Sequence, residues 1–146
     1  MAAQASNTFN LGKNCQVVLI TSTGAQVNLG IVEGFEAKQT AHNLTVRPLN
    51  GPPQFMALPD GWTGSFMIER ANSVADDLFS QIEQGYWATG VIGFGQVFQY
   101  VTELNGSVST YQFDGVAMHL SEAGSWKADA SVKQTIAFTA STRKRV

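Results

Sequence analysis

The chain has 146 residues, 44% of them hydrophobic and 14% charged, with a formal charge of −2. That length suits one domain spanning residues 1–146, burying roughly two-thirds of its unfolded surface. The acidic balance argues against a nucleic-acid-binding domain of the usual basic kind. A lone cysteine, Cys15, excludes an internal disulfide and a cysteine metal cluster.

The charged fraction lies below the typical value of about 25%. Ser, Thr, Asn, Gln and Gly fill the gap. Such a surface suits burial against other copies, because charge is depleted in interface cores. It also suits a turn-rich β protein. Three of the nine basic residues are Arg143, Lys144 and Arg145, leaving six to face eleven acidic ones.

Residues 1–14 are polar and read as an N-terminal arm. They lack a basic segment followed by an apolar run, so no secretory signal is expected. Nothing approaches about 18 consecutive apolar residues, so no membrane span is expected either. Both readings place synthesis in a cytoplasm-like compartment. Residues 15–21 form a short apolar run that reads as a strand, and Ser22-Thr23-Gly24 is a turn signal. Residues 26–38 read as a second strand, bent at Gly30 or Gly34. Residues 43–49 alternate, with Leu44, Val46 and Pro48 on one side.

Residues 48–61 hold all four prolines and read as a long loop. Phe55, Met56 and Leu58 lie inside it. They either fold back on their own core or form a contact surface, and a contact surface is the expectation. Residues 62–70 read as a strand with Phe66 and Ile68 facing one way. The period then changes. Ser73 with Asp76 is an approximate capping box. Val74, Leu78, Phe79 and Ile82 form one apolar stripe, which predicts a helix over 73–84 with Gly85 as its C-cap.

Strands resume from Tyr86. Residues 91–103 carry Gly93 and Gly95, which would bend them, and Asn105-Gly106 is a hairpin signal. Asp114-Gly115 is a second turn or bulge. Residues 131–142 place Val132, Gln134, Ile136, Phe138 and Ala140 on one face, a strand with one buried side. The basic tip 143–146 is either a solvated tail or a contact for an acidic neighbour. The expected fold is mainly β, a sandwich or barrel with one helix packed on it.

No catalytic set emerges. His42 and His119 have no Cys, Asp or Glu at metal-ligand spacing. No Gly-x-Ser-x-Gly elbow occurs, and Gly90 to Gly95 has neither the spacing nor the lysine of a phosphate loop. Asp76 and Asp77 support a helix dipole more simply than acid-base work. The chain is not read as an enzyme, and no cofactor or metal is expected.

Tyr111-Gln-Phe-Asp-Gly-Val-Ala-Met-His-Leu120, a polar loop with Gly124, and Val132-Lys-Gln-Thr-Ile-Ala-Phe-Thr-Ala-Ser-Thr-Arg143 resemble the closing hairpin of a phage tail tube protein. The wider family includes the type VI secretion tube protein. The specific match covers about a quarter of the chain. Length and the single helix resemble the tube subunit of a contractile-tailed phage. The resemblance implies a ring-forming fold whose hexameric rings stack into a hollow tube through which DNA passes without specific binding. It implies a place in the virion, assembly in the host cytoplasm, and sheath, baseplate and tape-measure proteins as partners. Phe55, Met56 and Leu58 would then touch the next ring, the arm 1–14 would order on assembly, and Arg143, Lys144 and Arg145 would meet an acidic neighbour or the sheath. A net negative body would line a lumen that repels DNA. Two alternatives remain: a tube-like baseplate or tail-completion protein forming one ring, and a small β-barrel holding an apolar ligand among Trp62, Phe66 and Phe94.

Overall fold

A computed structural model describes residues 9–27 and 31–146. Most of the arm reading, and the bend at Gly30, lie outside the described residues. The strands are β1 (Cys15–Ile20), β2 (Gln26–Val27), β3 (Ile31–Val46), β4 (Gln54–Glu69), β5 (Gly95–Thr102), β6 (Val108–Glu122), β7 (Lys133–Ala140) and β8 (Thr142–Arg145). One helix, α1 (Val74–Thr89), follows β4, and a single 3-10 turn, Gly12–Asn14, precedes β1.

All eight strands belong to one antiparallel sheet in the order β2-β1-β5-β6-β7-β4-β3, with β8 beside β6. The layers expected of a sandwich are two halves of this sheet, joined through β6. The first half of β6 pairs with β5, and its second half pairs with β7. β8 runs on from β7 after Ser141 and pairs with residues Tyr111 to Asp114 of β6. At the join, Ser141 donates its N–H to the Asp114 carbonyl at 2.9 Å. Gly115 opposite has φ +63°. A Cβ there would meet Ser141 Oγ at 2.5 Å, so the bend needs glycine on both conformational and steric grounds.

The bend brings aromatic rings from four strands together. Phe35, Phe66, Phe113 and Phe138 contact one another with centroids 5.2–6.1 Å apart. Phe66 and Phe113 are fully buried. In β7 the buried positions are Gln134, Ile136, Phe138 and Ala140, the face expected from period two. Gln134 is tolerated there because its amide donates to Asp76 Oδ1 at 2.8 Å and to the Ala123 carbonyl at 3.0 Å.

Several boundaries differ from expectation. Residues 43–49 are not a separate strand; through Val46 they continue β3. The strand expected over 91–103 begins only at Gly95, so Gly93 precedes it. The helix runs past Gly85 to Thr89, and Gly90, at φ +74°, is the C-cap. Tyr86 and Trp87 are therefore helical, because Gly85 tolerates helical φ and the stripe continues from Ile82 to Tyr86. Asp76 does not complete a capping box with Ser73. Its carboxylate takes Arg70 Nε at 2.9 Å instead, and the Asn72 side chain accepts the Val74 N–H at 3.1 Å.

Candidate assembly surface

β3 and β4 are each 16 residues long and pair along nearly their whole length. Only the inner half of this hairpin has a neighbour, since β4 pairs with β7 over Trp62 to Glu69. Residues 41–60 are exposed without exception. Six paired residues per strand at about 3.3 Å each give an arm of roughly 20 Å beyond the body.

The proline-rich segment 48–61 is thus not a loop throughout. Its prolines fall in the tip (Pro48, Pro52, Pro53) and at Pro59, beside an irregularity in the pairing between Gln39 and Ala41. Between them, Gln54 to Leu58 pair with His42 to Val46 as regular strand. This corrects the expectation that four prolines forbid a strand, because they sit where the ladder ends or breaks.

Pairing also separates the three residues expected to act together. Met56 lies opposite Leu44 and Leu58 opposite His42. With Val46 they make one apolar face. Phe55 lies opposite Thr45 on the other face, with Ala57 and Pro59. Phe55 is 75% exposed and Met56 56%. The arm carries exposed apolar side chains on both sides, among His42 and Gln54 on one and Asn43 and Thr45 on the other.

A second apolar surface lies around the far half of α1. Ala75, Leu78 and Phe79 pack on the core. Beyond Ile82 most helix residues are exposed. Trp87 is 75% exposed, with its ring 5.1 Å from that of Tyr86. The following segment exposes Val91, Ile92 and Phe94. Two clefts of about 300 and 590 Å³ flank the helix and share Ile82, Ile92 and Met118. Apart from Phe94, named for an apolar ligand site, none of these residues stands out in the sequence as a site; the Ile82-to-Tyr86 spacing is the available signal.

The basic tip is strand rather than tail, since β8 pairs with β6. Arg143 lies with its guanidinium carbon 3.9 Å from the Tyr111 ring centroid and 5.0 Å from that of Trp62. Lys144 pairs with Asp114 at 3.4 Å, and Arg145 donates to Ser109 Oγ at 3.2 Å. Lys144 thus has its acidic partner within the chain. Trp62, Phe66 and Phe94 do not share a cavity: Phe66 fills the core while Phe94 is exposed before β5.

A charge cluster ties the inner hairpin to β7. Lys133 Nζ reaches Glu33 Oε2 at 3.0 Å and Glu69 Oε1 at 3.4 Å, and Ser131 Oγ donates to Glu69 at 3.1 Å. Hydrogen bonding to Glu33 and Ser131, with the Lys133 charge beside it, holds Glu69 below the usual carboxylate range. Bonding to Glu33 and then Glu69 raises Lys133 above its ordinary value. His42 and His119 are both exposed.

No protein-family model matches the chain, and no curated protein matches it by sequence. Solved structures do match. A chain of the anti-feeding prophage tube-terminating cap is 10% identical, with a TM-score of 0.64, over 100% of this chain and 99% of that one. A chain of the extended sheath-tube complex of the PVC extracellular contractile injection system is 9% identical, with a TM-score of 0.66, over 100% and 97%. A chain of the anti-feeding prophage baseplate is 7% identical, with a TM-score of 0.59, over 96% and 97%. The chain therefore has a tail-tube-like fold, shared end to end with chains of contractile injection particles.

Proposed function

We propose that this chain is a structural, non-enzymatic subunit of a contractile-tail particle, forming six-membered rings that stack into a hollow tube. DNA would pass through the lumen without specific binding. Sheath, baseplate and tape-measure proteins would be the partners, and the assembled particle its place. The observation that carries this reading is the arm 41–60, with exposed apolar side chains on both faces and no cover among the described residues. A monomer does not leave such a surface bare without reason. A contact between two different surfaces of one chain closes into rings or grows into filaments. Phe55 on one face and Met56 with Leu58 on the other would each meet a neighbouring copy, in the same or the next ring. Arg145 at the open end of β8 is the residue of the basic tip best placed to meet an acidic neighbour. The arm 1–14 would order in the assembly.

A second reading is favoured by a specific observation. The matched structures include a tube-terminating cap and a baseplate. The chain would then form one ring that closes or starts a tube. Negative-stain electron microscopy of the concentrated protein separates the two. Long hollow tubes are expected for the first reading, and isolated rings for the second. Monomers at every concentration would overturn both.

A further inference from the structure

Two surfaces of this chain carry unpaired groups of opposite charge. Residues 41–60, the arm, carry Arg47 next to the tip and one carboxylate, Asp60, at the base. Residues 74–89, the helix, contain Asp76, Asp77 and Glu83 and no lysine or arginine. Asp76 is engaged by Arg70, whereas Glu83 lines the wider cleft beside Phe79, Ile82, Tyr86 and Trp87. Neither Arg47 nor Glu83 has an ion-pair partner among the described residues. Arg47 follows two residues after Thr45, the cross-strand partner of Phe55. An aromatic side chain and a cation are thus offered near one end of the arm. A cleft with aromatic walls and one free carboxylate is offered by the helix.

We propose that the helix cleft of one copy receives the arm of a second copy, with Phe55 against Tyr86 and Trp87 and Arg47 against Glu83. The proposal rests on the self-assembly reading and names the surface that receives the arm. Burying the aromatic contact would supply affinity, and the charge pair would fix which end of the arm enters. The two surfaces lie on different parts of the molecule, so the contact is head-to-tail and either closes into a ring or propagates.

Charge reversal tests it. Arg47→Glu and Glu83→Arg are both exposed positions, so each variant should fold like the wild type by circular dichroism. Each alone should raise the concentration needed for sedimentable assemblies by roughly tenfold or more, because like charges then face each other. The double variant, with the charges exchanged, should return to within about twofold of the wild type, as expected for a direct pair. If either single variant assembles at the wild-type concentration, or the double fails to recover, the inference is overturned while the assembly reading stands. In that case the helix cleft is left for a different chain of the particle. A wild type that sediments as a monomer at every concentration overturns both.

Discussion

The inner and outer halves of the β3–β4 hairpin use the same backbone pairing and reach opposite ends. In the inner half, the rings of Phe35 and Phe66 lie tilted with centroids 5.2 Å apart and meet Phe138 of β7. In the outer half, Leu44 faces Met56 across the same ladder, with nothing above them among the described residues. Pairing sets which residues share a face. A third element decides whether that face is core or contact surface. Apolar content alone does not distinguish the two.

Substitutions in the two halves should therefore separate stability from assembly. Phe66→Ala removes a fully buried ring from the aromatic cluster and should cost about 3–5 kcal/mol in chemical denaturation. A smaller loss would mean that the cluster relaxes around the gap. Arg143→Ala sits between the extremes. It removes a cation stacked on Tyr111 and Trp62 and should cost about 1–2 kcal/mol. An unchanged denaturation midpoint would show that the stack does not hold β8 in place. The double variant Phe55→Ala with Met56→Ala should change subunit stability by no more than about 0.5 kcal/mol. It should nevertheless stop tube growth under the electron microscope. Normal tubes would remove the arm from the assembly surface, and an unfolded subunit would erase the contrast between the halves.

The smallest effect concerns pH and belongs to the inner half. Glu69 is depressed in the folded state, so its contribution is present at neutral pH and fades as pH falls through its folded value. Lys133 is raised, so its contribution holds below its unfolded value and fades as pH climbs through its folded value. Lys133→Met should flatten both limbs of a plot of melting temperature against pH. The cluster is largely solvent-exposed, so the change should be slight. Assembly through the outer half should not share this dependence.

How far the residues themselves reveal this arrangement varies by region. The alternation in 131–142 identifies the buried face of β7, because one-sided burial writes itself as period two. The hairpin turn at Asn105-Gly106 is equally plain, with Gly106 at φ +90°. The arm was only half readable. Phe55, Met56 and Leu58 stood out as apolar residues in an odd setting. Their division between faces depends on register with β3, which is a non-local property. The importance of Leu44 and Val46 was hidden for the same reason: an alternating strand does not say whether a layer covers it. The end of the helix was misplaced because Gly85 imitates a cap, while Gly90 supplies the positive φ. Arg143 resembled tail because three successive basic residues mask a strand whose aromatic partners lie some thirty residues earlier and farther.

The prolines of the arm have one further effect. A two-stranded arm standing clear of its sheet presents two open edges, each a template for indiscriminate strand addition. Pro48, Pro52 and Pro53 at the tip and Pro59 within β4 have no N–H to offer. Pro59 removes one donor from the β4 edge and the tip prolines end the ladder, whereas β3 itself carries no proline. The β4 edge of the arm is thereby a poorer template for an added strand than the β3 edge.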